Sequence, residues 1–162
     1  MDIGVIRNVL IAYDFSAYAD RALAMGIAIA MRFDAKVLIL NVINRRDIEA
    51  IEHAMHRSIL AEVPATSKDM VQEFKEERLG ELQDALAKYP DKNNCLKPHV
   101  SVGDPVGEIL ALGRKHNADL IVMGARGHSR VARLLTGSKA ETLFRLSSIP
   151  VLSVRQEEDF YH

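Results

Sequence analysis

The chain has 162 residues, of which 48% are hydrophobic and 27% charged, the proportions of an ordinary globular protein, which exclude disorder and fibrous repeats. That length suffices for one domain with a sizeable core and is short for two. With 21 Lys and Arg against 22 Asp and Glu, no Trp and only 6% aromatic residues, nothing marks a nucleic-acid or acidic-membrane partner.

No apolar run reaches the roughly 18 residues that a membrane-spanning helix needs. The N-terminal stretch MDIGVIRNVLIAYDFS lacks the long apolar segment and small-residue cleavage site of a secretory signal. The lone Cys95 cannot form an internal disulfide, and with no activating partner in the sequence it reads as an inert thiol. The expectation is one cytoplasmic domain.

In chain order, residues 9–13 (VLIAY) form a short, fully apolar run, the pattern of a strand buried on both faces. Asp14 and Ser16 follow as turn and helix-start residues, and Ala19, Leu23, Ile27 and Ala30 then repeat at helical spacing. Residues 36–43 (KVLILNVI) predict a second buried strand. Residues 44–68 are less periodic and admit two readings, a helical extension or a flap over the sheet. From Met70, the residues Val71, Phe74, Leu79, Leu82, Leu86 and Tyr89 make a helical stripe, with the charged run KEERLGELQDALAK as its solvated face.

Leu96, Pro98, Val100 and Val102 alternate with polar residues and predict a strand, and the internal proline assigns it to a sheet edge. Asp104-Pro105 reads as an N-cap with proline at the first helical position, opening a helix to about His116. DLIVM (119–123) is a fourth buried strand, Ser138 to about Leu146 a helix, and PVLSV (150–154) a fifth strand. Residues 156–162 read as a loose tail after a domain spanning 1–155. Alternating strands and helices predict an α/β fold: a five-stranded parallel open sheet, joined by right-handed crossovers, with helices on both faces.

In such a sheet, ligands bind beyond the carboxyl ends of the strands, where the strand order reverses. Asp14 after the first strand and Gly124 after the fourth therefore draw attention. Six of the nine glycines fall within residues 103–137, and the last three stand as Gly124-x-x-Gly127, nine residues, then Gly137-Ser138. Glycines there let the backbone approach a phosphate, and a helix opening at Gly137-Ser138 offers unpaired N–H groups and a positive dipole end. Arg126, Arg130 and Lys139 add cations. Neither a Walker A loop nor a Gly-x-Gly-x-x-Gly fingerprint is present.

The same residues admit plainer readings. Gly-x-x-Gly is also a tight turn, Ser138-x-x-Glu141 is also a capping box, and Asp14 is also a helix cap. Arg126, Arg130 and Arg133 also read as a solvated helix face. His53 and His56 have a spacing compatible with shared metal ligation, but no third ligand stands nearby in sequence.

The combination resembles the universal stress protein (UspA-like) family in its ATP-binding subclass. The resemblance rests on the first strand ending in Asp14, the Asp-x-Ser turn, the second strand ending in Val42, and the Val-Gly-Asp-Pro segment at 102–105. DLIVMGARG with its spaced glycines and the closing IPVLSV complete it. It implies a Rossmann-like, adenine nucleotide alpha hydrolase-like fold and a cytoplasmic, stress-response role in which ATP, or AMP or ADP, is a ligand, with Mg2+ or Mn2+ held by its phosphates.

By the same resemblance Ala12 stands beside the adenine, Asp14 reaches the nucleotide, and Val42 contacts the base edge through its backbone. Met123 and Gly124 wall the ribose and phosphate pocket. Arg126, Gly127, His128 and Ser129 match the phosphate loop, and Gly137, Ser138 and Lys139 match the second half of the cradle. Two positions depart from the family's habit. Ala12 replaces a usual proline or other small residue, and Lys139 stands where a small apolar residue is common, either bonding a phosphate or pointing to solvent.

No general base stands obviously poised beside a terminal phosphate, which favours a regulator over an enzyme. The alternatives are a slow ATPase or nucleotide-dependent transferase, with Asp14 or His128 assisting a water, and an interaction module that binds no nucleotide. The last strand has no following element to cover it, and an apolar edge invites pairing. A homodimer through residues 150–154 is expected, and the resemblance points the same way.

Overall fold

The computed structural model describes residues 5–57, 67–126 and 138–156. Its central strand β1 (Asn8–Ala12) explains why the first apolar run is uninterrupted. β1 pairs in parallel with β2 (Lys36–Asn44) on one side and with β4 (Leu120–Gly124) on the other. β3 (Leu96–Gly103) pairs outside β2 and β5 (Val151–Val154) outside β4, so the five-stranded order is β3-β2-β1-β4-β5 and every pairing is parallel.

Strand side chains alternate between the two faces, and each face has its own helices. On one, Val9, Ile11, Val37, Ile39 and Val122 pack with Leu23 and Ile27 of helix α1 (Ala17–Phe33) and with Leu82 and Leu86 of α3 (Ser67–Leu86). On the other, Leu10, Leu40, Ile121 and Met123 pack with Ile109, Leu110 and Leu112 of α4 (Pro105–Lys115) and with Ala140 and Leu143 of α5 (Ser138–Leu146). Leu23, Leu82 and Leu143 are wholly buried, and truncating any of them to Ala costs about 2–5 kcal/mol.

The helix-start expectations hold. Ser16 caps α1, its Oγ accepting from the Ala19 N–H at 3.1 Å, and Asp104 caps α4, accepting from the Gly107 N–H at 2.8 Å, with Pro105 in the first turn. Pro98 is tolerated because β3 is an edge strand. The first part of the 44–68 region is helical: α2 (Arg45–Arg57) follows β2 directly and buries Ile48, while residues 58–66 lie outside the described set. The proposed tail from 157 onward also lies outside it.

Boundaries shift by small amounts for local reasons. β1 ends at Ala12: the Tyr13 N–H still donates to the Leu40 carbonyl at 2.8 Å, but the Tyr13 carbonyl accepts from a side chain and not from the backbone of β2. Asp119 stands before β4 and brackets the opposite end of the sheet, its Oδ2 accepting from the N–H groups of Arg7 (2.8 Å) and Asn8 (2.9 Å). This carboxylate ties the entries of β1 and β4 together and leaves their exits to the candidate site.

Candidate functional site

From β1 the chain moves outward to β2 and β3 and then returns to the other side of β1 as β4, so the order reverses between β1 and β4. This is the crevice where α/β sheets take ligands. Ala12 and Met123 are register partners at the two strand exits. β2 and β3 stay paired beyond this level, through Asn44 and Gly103, and form a wall on one side of the crest.

Several of the residues singled out in the sequence meet here. Ala12, Val42 and Met123 all belong to the apolar layer on the α4/α5 side of the sheet, Ala12 and Val42 at its half-buried margin. Val42 stands two positions further along β2 than Leu40, the partner of Ala12. Asp14 lies just past the exit of β1 and is half-buried. It is not the helix cap, a role that falls to Ser16. Asp14 instead braces that cap: its Oδ1 accepts from the Ser16 N–H at 3.1 Å and from the Ser16 hydroxyl at 2.6 Å.

The turn between them is strained. Phe15 has φ of 62°, a left-handed conformation that costs a bulky residue about 1–2 kcal/mol. Local packing holds it: the Phe15 ring sits edge-on to Tyr13 with centroids 5.0 Å apart, and the Arg78 guanidinium lies 5.3 Å from its centre. The Tyr13 hydroxyl donates to Asp20 Oδ1 at 2.5 Å. Burial and then this bond raise the Tyr13 phenol far above its ordinary range.

Two residues that sequence reasoning missed complete the geometry. Asn41, buried on β2, donates from Nδ2 to the Tyr13 carbonyl at 2.9 Å. A polar residue inside the apolar run KVLILNVI was its only signal. Tyr18, in the first turn of α1, has its hydroxyl 3.4 Å from Arg126 Nη1, and the Arg126 guanidinium lies 5.9 Å from the ring centre. Arg126 is thus turned toward α1.

Gly124 also acquires a packing role. A Cβ there would fall 2.8 Å from Tyr18 Cβ and 3.1 Å from the Ala19 nitrogen, so α1 crosses β4 at a distance that only glycine permits. Across the crest, α5 starts at Ser138 and carries Lys139 exposed in its first turn. Gly127, His128, Ser129 and Gly137 lie outside the described residues, as does the side chain of Ser138.

The universal stress protein family profile matches residues 6–155. The chain belongs to the universal stress protein family. Its relatives include a Staphylococcus aureus (strain USA300) protein classed among the universal stress proteins, 32% identical over 153 residues that cover 94% of this chain and 86% of the relative. Among solved structures, the protein MJ0577 superposes with a TM-score of 0.76 at 25% identity, covering 94% of this chain and 98% of its own. A universal stress protein solved in complex with cAMP superposes with a TM-score of 0.57 at 24% identity, covering 93% and 97%. These likenesses agree with the adenine nucleotide alpha hydrolase-like architecture of the sheet and its two helical layers.

Proposed function

We propose that this protein is an adenine-nucleotide-binding regulator acting in the cytoplasm, with ATP, or AMP or ADP, as a ligand and Mg2+ or Mn2+ carried by the phosphates. The observation that carries this is the register pairing of Ala12 with Met123 at the strand-order reversal. It supports a site in which an apolar margin (Ala12, Val42, Met123) faces the base and the nearby carboxylate is Asp14, two residues after Ala12. Such a combination suits a flat base against the apolar margin and sugar hydroxyls at the acid. The start of α5 at Ser138-Lys139 suits the phosphates. Gly124, Arg126, Gly127, His128, Ser129 and Gly137 supply the rest of the phosphate loop in this proposal. The cAMP-bound relative supports an adenine nucleotide as the ligand class.

Isothermal titration with Mg-ATP tests the proposal. Binding at 100 times Kd contributes about 2.7 kcal/mol and raises the melting temperature accordingly. No heat and no thermal stabilisation at millimolar nucleotide overturns it. Turnover well above background that Asp14→Ala abolishes, with binding retained, makes the protein an ATPase instead.

We also propose a homodimer through β5, on the contrast between the two sheet edges. The β3 edge carries exposed Lys97 and His99 on either side of Pro98, features that block strand addition. The β5 edge is Val-Leu-Ser-Val, each residue only half-buried, and has no such guard.

A further inference from the structure

We propose that Asn41 is a positioning residue for the nucleotide site: its carboxamide takes the Tyr13 carbonyl in place of the Val42 N–H, and so ends the β1–β2 ladder where the site begins. The inference rests on the proposed nucleotide site and goes beyond it by assigning a residue that would touch no ligand. The ladder itself shows what Asn41 replaces. Lys36 N–H donates to the Arg7 carbonyl and Tyr13 N–H to the Leu40 carbonyl, so the even-numbered residues of β2 aim their backbone polar groups toward β1. In a parallel pair the next rung would run from the Val42 N–H to the Tyr13 carbonyl. That carbonyl instead accepts from Asn41 Nδ2 at 2.9 Å.

Two consequences follow for the crest. The peptide joining Tyr13 to Asp14 is held from the neighbouring strand, which fixes the start of the strained Asp14-Phe15-Ser16 turn and the carboxylate it presents. The Val42 N–H is left facing the notch between β2 and the departing β1, beside the apolar margin of Ala12 and Met123. Asn41 is 6% exposed, and a buried carboxamide is retained only where its polar atoms are matched. Its bond to Tyr13 supplies that match at the one carbonyl that decides whether the ladder continues.

Removing the carboxamide lets the ladder close by one more rung. The test uses Asn41→Leu, of similar size, and Asn41→Val, which suits a strand, so that one folded variant suffices. Amide hydrogen exchange without nucleotide reads the ladder directly. The Val42 amide is expected to become at least 10-fold better protected in the variants, while the Ala30 amide of α1 keeps its rate. General loosening moves Val42 the other way, and a Val42 amide that exchanges as fast as in the parent chain, or faster, overturns the proposal. Mg-ATP titration is expected to show affinity reduced 10-fold or more, and unchanged affinity in a folded variant overturns the proposal as well. A parent chain that binds no Mg-ATP overturns the proposed function instead, and the Val42 exchange rate still decides the role of Asn41.

Discussion

A side chain on Gly124 would place its Cβ 2.8 Å from the Cβ of Tyr18 and 2.9 Å from the Tyr18 carbonyl carbon. The second of these contacts is to backbone, which cannot rotate out of the way. Gly124→Ala is therefore expected to destabilise the protein without nucleotide by about 1–3 kcal/mol, the usual cost of overpacking a close contact. Scanning calorimetry without ligand checks this, with about 2–4 °C of melting temperature lost per kcal/mol for a chain this size. An unchanged melting temperature would mean that α1 does not rest on β4 as described. Substitutions at Gly124 thus report on packing and binding together and do not isolate the phosphate site.

The same pair of residues shows how far the sequence could be read. Gly124 stood out as a glycine after a buried strand, which suggested a close approach of backbone to phosphate. Spacing alone could not show that the helix α1 makes its own close approach there, because Tyr18 and Gly124 are far apart in sequence. Asp14 was legible as a crest residue, since periodicity ends β1 just before it. That it braces the Ser16 cap through Oδ1 was not, since an Asp and a Ser on either side of Phe15 are equal candidates for the cap until the turn is known. The strands were legible because a sheet covered on both faces needs unbroken apolar runs. The 44–68 region was not, because α2 buries Ile48 but leaves Ile51 exposed and so carries a weak core pattern.

The proposed dimer can be tested without disturbing the sheet. Ile121 N–H donates to the Pro150 carbonyl and Ala125 N–H to the Val154 carbonyl, so residues 150, 152 and 154 turn their backbone groups toward β4. Val151 and Ser153 therefore aim their N–H groups at the open edge. Proline at either position removes an outward donor and leaves the β4–β5 rungs in place. Sedimentation is expected to show a dimer for the parent chain at micromolar concentration and a shift toward monomer for Val151→Pro or Ser153→Pro. A monomeric parent overturns the dimer, and proline variants that stay fully dimeric place the interface elsewhere.

The Tyr13–Asp20 contact makes stability depend on alkaline pH. Burial first, and then the hydrogen bond to Asp20, raise the phenol in the folded state, whereas the unfolded chain ionises it near pH 10. A folded pKa above the unfolded one gives stability that is complete below about pH 10 and is lost as pH rises toward the folded value. Tyr13→Phe keeps the ring against Phe15 and removes the ionisation. It is expected to cost about 1 kcal/mol at neutral pH, for the lost hydrogen bond. It is also expected to flatten the fall in stability between roughly pH 10 and 12. Urea denaturation at several pH values measures both, and equal slopes in the two proteins would contradict the assignment.

Two serines sit in the sheet under conditions that normally select against them. Among the described residues, the hydroxyl oxygens of Ser101 on β3 and Ser153 on β5 are buried without a hydrogen-bond partner. Ser153 is the register partner of Met123 and Ser101 that of Val42, so both hydroxyls belong to strand positions next to the proposed site. Leaving a hydroxyl buried and unpaired costs about 1–3 kcal/mol, whereas a methyl group in the same place has no polar atom to desolvate. Ser101→Ala and Ser153→Ala are each expected to raise the stability of the nucleotide-free protein by about 1 kcal/mol. The positions lie on opposite edges of the sheet, with no partner in common, so the double variant should gain the sum. Urea midpoints at constant slope provide the measurement. A loss of stability at either position would show that its hydroxyl is hydrogen-bonded in the folded protein.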